Sequence, residues 1–142
     1  MRAGVLSAAL ILLLASCSSS PDGEAGQDEV DVVTATLSDE MRIELSRTSF
    51  TRGETVRFEV TNTGAIRHEM LLGDEEAQQQ FAEEMAGMEG GGHDGENGVS
   101  VEPGDTETFE FTFEQSGEIL AGCHEPGHYE AGMVEPLAVT DG

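Results

Sequence analysis

Residues 56–61 carry a clear secondary-structure signal and read Val56-Arg57-Phe58-Glu59-Val60-Thr61. Apolar side chains occupy every second position, and polar side chains fill the positions between them. Successive side chains of a β-strand point to opposite faces of the sheet. The run therefore predicts a strand with one buried face and one wet face, as is common in antiparallel sheets.

The same alternation recurs elsewhere in the chain, and turn-forming residues separate the runs. Three further alternating runs and three shorter strand candidates lie at 33–37, 41–45, 109–113, His68–Leu72, Glu118–Gly122 and Pro136–Val139. Several short strands at this spacing predict an all-β sandwich of half-buried antiparallel strands.

One segment, from Asp74 to Met88, breaks the period of two. Its apolar residues Ala77, Phe81 and Met85 recur every fourth position, and acidic residues stand at its start, where the helix dipole favours them. We therefore predict one short helix inserted between strands. The Gly-rich residues 89–97 that follow predict a flexible loop.

The first 17 residues are typical of a secretion signal. Arg2 supplies a positive start, and residues 5–14 form an apolar stretch that is too short to span a bilayer. Cys17 follows directly after Leu14-Ala15-Ser16, which resembles a lipobox, the cleavage site at which a lipoprotein cysteine is lipidated. We therefore expect a protein that is secreted and anchored through Cys17 to the outer face of the cell membrane, or periplasmic.

Between this leader and the strands, residues 18–29 contain no apolar side chain larger than alanine except that of Pro21. That composition predicts a disordered tether, which leaves residues 30–142 as the folded domain. The alternative for Cys17 is a disulfide with Cys123, and it stays open at this point. If Cys17 is lipidated instead, Cys123 is the sole thiol of the mature protein, which is a liability in an oxidising compartment unless a ligand occupies it.

The chain is strongly acidic, with 29 Asp and Glu residues against six Arg and no Lys, and a formal net charge of -23. Such a surface repels nucleic acid and anionic membranes, so we expect no nucleic-acid partner and membrane contact through the lipid anchor only. It would attract a partner protein with a basic docking face.

Cys123, His128 and Met133 stand at steps of five residues. A thiolate is a soft ligand, imidazole binds both oxidation states of copper, and a distant thioether is a weak axial ligand. Gly127 would help the loop to curl so that these side chains converge. The second imidazole must come from elsewhere in the fold, and His68, at the start of a predicted strand, is the candidate.

With these motifs the chain resembles a cupredoxin (type 1 blue copper protein) of the plastocyanin and rusticyanin kind, and the resemblance covers residues 30–142. It implies an all-β, Greek-key β-sandwich, here with one short inserted helix. It also implies one type 1 copper ion, with His68 and His128 as nitrogen ligands, Cys123 as the thiolate and Met133 as the axial ligand. Structural zinc would call for more Cys or His.

Met85, Met88 and His93 form a second candidate metal site, because thioethers and an imidazole suit Cu(I). The alternative is that both methionines pack against the sandwich, as their helical spacing with Phe81 favours. His124 is a spare imidazole, which we expect to point away from the metal.

The residues and the resemblance leave two functions open. The first is one-electron transfer outside the cytoplasm, in which a monomer cycles Cu(II) and Cu(I) and docks with a redox partner. The second is copper sequestration or tolerance. We do not expect the protein to be an enzyme. A hydrolase built on Cys123 and His128 would need an Asn or Asp to orient the imidazole, and none lies near them in the sequence.

Overall fold

The computed structural model describes residues 30–86 and 95–142, which form two packed β-sheets and a helix. In chain order the elements are β1 Asp31–Ser38, β2 Arg42–Leu45, β3 Ser49–Thr51, β4 Thr55–Asn62, β5 His68–Gly73, α1 Glu75–Ala86, β6 Gly98–Val101, β7 Thr106–Thr112, β8 Gly117–Gly122 and β9 Val134–Thr140. The predicted leader with Cys17 and the tether lie outside the described residues.

One sheet has the strand order β2-β1-β4-β7, and the other has the order β3-β9-β8-β5-β6. The neighbours are mostly distant in sequence, because the chain crosses repeatedly from one sheet to the other. The all-β sandwich with one inserted helix, predicted from the alternation of side chains, is confirmed.

Two strand pairs are parallel, so the expectation of antiparallel strands is wrong there. In β1 and β4, Val33 lies opposite Phe58, and in β3 and β9, Phe50 lies opposite Val139. A period of two reports which face of a strand is buried and carries no information on the direction of its neighbour. The alternation in β4 therefore located the strand correctly and left its pairing undetermined.

The core between the sheets is built on phenylalanine. The ring centroids of Phe50 and Phe113 lie 4.2 Å apart, and those of Phe58 and Phe109 lie 5.2 Å apart, both in stacked arrangements. Aromatic pairs at such separations add to the stabilisation that burial alone supplies. The same buried cluster extends to Cys123, so the candidate site is continuous with the core.

Three details of the elements differ from the sequence-based expectations. Strand β3 has only three residues and β6 only four, which is too short for a recognisable alternation, and neither was predicted. Met41 was expected to begin a strand, but it has a φ of 58° and lies in the turn before β2. Its backbone N–H donates to the carbonyl of Ser38, which closes that turn.

Helix α1 begins where the acidic residues predicted it. The Asp74 carboxylate accepts a hydrogen bond of 2.9 Å from the backbone N–H of Ala77 and so caps the first turn. Phe81 and Gln78 are buried against the sandwich. Residues 87–94 lie outside the described part, and within the described part no helix is both long and apolar enough to cross a membrane.

Glu54 holds the turn between β3 and β4. Its carboxylate accepts one hydrogen bond from the backbone N–H of Thr51 at 2.9 Å and another from the guanidinium of Arg47 at 2.6 Å. Burial by itself would raise the pKa of Glu54, but these two donors outweigh it and hold the pKa below its ordinary value. The ionised form is therefore favoured more in the folded chain than in the unfolded chain.

This difference makes a pH-dependent stability prediction. Glu54→Gln should lower the free energy of unfolding by about 1 kcal/mol at neutral pH, since it removes charge-assisted hydrogen bonds at a partly exposed site. A carboxylate whose pKa is lower in the folded chain than in the unfolded chain stabilises the fold above the unfolded pKa. The stability deficit of Glu54→Gln should therefore be complete above about pH 5 and fade as the pH falls through the folded pKa. Urea unfolding at a series of pH values measures it.

The exposed Glu118 in β8 supplies the matched control. Glu118→Gln removes the same charge and should change stability little at any pH. A deficit for Glu54→Gln that persists unchanged in acid would contradict the assignment.

Candidate metal centre

Three strands of one sheet position the candidate ligands. His68 is the first residue of β5, Cys123 follows the last residue of β8, and Met133 precedes the first residue of β9. Strands β5 and β8 are antiparallel with Leu71 opposite Gly122. The start of β5 therefore lies beside the loop that follows β8, although His68 and Cys123 are far apart in the chain.

The structure brings His68, Cys123 and His128 together, with one donor atom from each within 4.8 Å of the others. Nδ1 of His68 lies 3.3 Å from Nδ1 of His128, which lies 3.4 Å from Sγ of Cys123. Thiolate and imidazole ligands stand about 2.0–2.3 Å from a transition-metal ion such as zinc, so donors that share an ion are separated by a few ångströms. The spacing of these three donors fits one ion.

The loop from Cys123 to Met133 curls back on itself. Gly127 and Gly132 have φ values of 84° and 98°, which favour glycine over other residues. Met133 donates its backbone N–H to the carbonyl of His128 at 3.0 Å, and its own carbonyl accepts from the backbone N–H of Cys123 at 3.1 Å. These bonds return Met133, whose side chain is fully buried, to the neighbourhood of the three donors.

The Cys123 thiol is fully buried and accepts a 3.3 Å hydrogen bond from the backbone N–H of Glu69. Burial raises the pKa of this thiol to about 11, so it keeps its proton at neutral pH without a metal. Burial, with the neighbouring His68, lowers the pKa of His128 and so favours its neutral form. A metal that binds here must displace the thiol proton.

Asp39 makes a contact with His68 that the sequence did not indicate. Its Oδ1 accepts a hydrogen bond of 3.0 Å from Nε2 of His68, and its Oδ2 accepts one of 2.8 Å from the backbone N–H of Ala65. The Ala65 bond first, and then the His68 bond, hold the pKa of Asp39 below its ordinary value. Nothing local in the sequence separates Asp39 from the other acidic residues.

Two further acidic side chains flank the site and were also missed. The Arg67 guanidinium hydrogen-bonds to Glu125, which raises the pKa of Arg67 and ties the residue before β5 to the loop after β8. Glu69 is fully buried, and the hydroxyl of Ser100 donates to its Oε1 at 3.1 Å. Acidic residues are rarely fully buried, so the sequence alone does not indicate that Glu69 is.

His124 points toward the helix, as expected for the residue beside a converging ligand. Its Nε2 lies 2.7 Å from Oε1 of Gln78, and its ring stacks on Tyr129 at a centroid distance of 4.7 Å. Of the second candidate site, Met85 is half-buried in α1. Met88 and His93 lie outside the described residues, so this site stays a prediction.

Comparison with solved structures identifies the fold. The chain superposes on the sodium-dithionite-reduced auracyanin of the photosynthetic bacterium Roseiflexus castenholzii with a TM-score of 0.63 and 23% identity, over 78% of this chain and 96% of that one. It also superposes on auracyanin A of Chloroflexus aurantiacus, a "blue" copper protein, with a TM-score of 0.60 and 20% identity, over 76% and 97% of the two chains. The protein has the cupredoxin fold.

Sequence comparison defines the family. The chain is 36% identical over 118 residues to the copper-resistant cuproprotein CopI of Rubrivivax gelatinosus, and the match covers 83% of this chain and 70% of the relative. No family model matches the chain. The chain belongs to the family of copper-resistant cuproproteins CopI.

Proposed function

We propose that this protein is a copper-resistance protein that binds one copper ion outside the cytoplasm. The ligands in this proposal are His68, Cys123, His128 and Met133, and the protein acts by binding copper rather than as an enzyme. One observation carries the proposal: a buried thiol and two imidazoles lie within a single ion's reach of one another. The family supports the proposal, because the relative from Rubrivivax gelatinosus is a copper-resistant cuproprotein.

The chemistry of the donors favours copper over harder ions. Copper accepts a soft thiolate and imidazole together and can be held as Cu(I) or Cu(II). Cys123 would supply the thiolate once its proton is displaced, and the lowered pKa of His128 favours the neutral imidazole that a metal binds. The surrounding core excludes water from Cys123, which is fully buried. Burial of the sulfur protects it from oxidation, because thiols that react are the exposed ones.

Secretion and anchoring belong to the same proposal. A signal peptide cleaved just before Cys17 would place the domain outside the cytoplasm, on a tether of residues 18–29. Mass spectrometry of the membrane fraction tests this part separately: a lipid on Cys17 supports it, and an unmodified Cys17 in a soluble extract would contradict it.

Electron transfer is a second candidate, favoured by the way the donors are held. Hydrogen bonds fix the loop, and His68 and Cys123 are fully buried, so the ligands would move little between oxidation states. The acidic surface would steer a basic redox partner. If it does, added salt should slow the transfer rate steeply, and a rate indifferent to salt would remove the steering idea.

Copper stoichiometry separates the two functions. The full chain is titrated with Cu(I) beside a Met85/Met88/His93 triple variant. More than one tight equivalent, reduced to one in the variant, supports resistance through storage of copper. One equivalent with rapid electron self-exchange supports a carrier. Failure of the wild-type chain to bind copper would overturn both.

Met133 gives a prediction on the redox properties of the site. Met133→Leu removes the thioether and keeps an apolar side chain of similar volume in the core. We expect the variant to retain copper and to show a higher reduction potential, since the axial ligand tunes the potential of such sites. A redox titration followed by visible absorption measures the change. An unchanged potential would exclude Met133 as a ligand.

A further inference from the structure

We propose that Asp39 is a positioning residue for the copper site: it fixes the ring of His68 and strengthens its Nδ1 as a donor to Cu(II). The inference rests on the proposed function, because it takes His68 as a ligand. Its basis is the contact of Nε2 of His68 with Asp39 at 3.0 Å, which leaves Nδ1 on the side of the other donors, 3.3 Å from Nδ1 of His128.

The hydrogen bond to Asp39 determines which nitrogen of His68 is free to bind a metal. An ionised carboxylate accepts hydrogen bonds and donates none, so the hydrogen must lie on Nε2. In the ring that carries one hydrogen, the lone pair then lies on Nδ1, the nitrogen 3.3 Å from Nδ1 of His128. A carboxylate beyond the Nε2–H also raises the basicity of the ring, and a more basic ligand favours Cu(II) over Cu(I).

Asp39 is itself held in place by the chain. It lies in the turn between β1 and β2, in one sheet, whereas His68 begins β5 in the other sheet. Its second oxygen accepts the backbone N–H of Ala65, so both carboxylate oxygens have fixed partners. The contact therefore ties a ligand of one sheet to a turn of the other, and the ring of His68 cannot rotate without breaking it.

The space that Asp39 occupies exists because residue 64 is glycine. A Cβ at Gly64 would lie 2.0 Å from Oδ1 of Asp39 and 2.8 Å from its Cγ. Gly64→Ala would therefore push the carboxylate, which is the free end of a side chain, away from His68. This variant disturbs the contact while it leaves the charge of Asp39 in the protein.

The experiment compares the full chain with Asp39→Asn, Gly64→Ala and the control Glu40→Gln. Glu40 is the next residue in the same turn and is highly exposed, with Arg42 as its ion-pair partner at 3.9 Å. Glu40→Gln removes one negative charge near the site without touching His68. Each protein is studied without metal and with Cu(II) or Cu(I) added.

Without metal, ¹⁵N NMR of His68 should show the Nε2–H tautomer in the wild type and in Glu40→Gln, and a mixture of tautomers in the other two variants. With copper, Asp39→Asn and Gly64→Ala should bind Cu(II) about ten- to hundredfold more weakly, as is typical when the partner of a metal-bound histidine is lost. Cu(I) affinity should fall less, so the reduction potential rises.

Two results would overturn the inference. One is that both Asp39→Asn and Gly64→Ala leave the Cu(II) affinity and the tautomer of His68 unchanged. The other is a shift in Glu40→Gln equal to that in Asp39→Asn, which would assign the effect to surface charge alone. Failure of the proposed function looks different, since the wild type would then bind no copper or His68→Ala would bind it as tightly as the wild type.

Discussion

Cys123→Ser is expected to abolish the intense visible absorption of the Cu(II)-loaded protein and to weaken copper binding by orders of magnitude. The absorption of such sites arises from a thiolate bound to copper, and a serine hydroxyl is a hard, poorly acidic donor. The substitution is nearly isosteric, and its oxygen would still face the backbone N–H of Glu69 that now donates to Sγ. Loss of colour would therefore report loss of the ligand rather than loss of the fold.

The chain supplies a matched control for this experiment in its other cysteine, Cys17. Cys17→Ser makes the same chemical change in the predicted leader and should leave the colour and the affinity intact. Absorption spectra of both variants, each with one equivalent of Cu(II), provide the comparison. A Cys123→Ser protein that stays intensely coloured would show that the thiolate comes from elsewhere.

Gly98→Ala is expected to produce the largest loss of stability, about 3 kcal/mol or more, because overpacking against a rigid neighbour is costly. A Cβ at Gly98 would lie 2.1 Å from the carbonyl oxygen of Met70 and 2.9 Å from Cα of Leu71. Both are backbone atoms of β5, which pairs with β6. The two strands would have to separate, and β5 is the strand that carries His68.

Gly104→Ala is the control for the added methyl group. Gly104 lies in a turn with a φ of 83°, and nothing stands within 4 Å of its Cβ position. Its cost should be limited to backbone strain, about 1 kcal/mol. Guanidinium unfolding of the metal-free proteins measures both. A loss for Gly98→Ala no larger than that for Gly104→Ala would contradict the close packing of β5 and β6.

The fold could be predicted well from the sequence, because the strands of a sandwich alternate buried apolar residues with exposed polar ones. Val56, Phe58 and Val60 are fully buried, and the polar residues between them are exposed. Helix α1 was predicted for the corresponding reason, since Phe81 lies on its buried face. The direction of the β1 partner was not predictable, because burial of alternate residues is the same in parallel and antiparallel pairs.

The candidate site was predictable only in its local part. Cys123, His128 and Met133 lie in one loop, so their spacing is visible in the sequence, and the cupredoxin resemblance pointed to His68. The contact of Asp39 with His68 could not be predicted from the sequence, because it depends on how a turn of one sheet packs beside a strand of the other. The ligand roles of these residues are a prediction, although three of the four predicted ligands gather as the prediction requires.

X-ray absorption at the copper edge, on the wild-type chain with one equivalent of Cu(II), probes the atoms next to the ion directly. We predict a nearest shell of one thiolate sulfur and two imidazole nitrogens, contributed by Cys123, His68 and His128. A shell of oxygen and nitrogen without sulfur would contradict the account, because it would mean that copper does not enter the buried site.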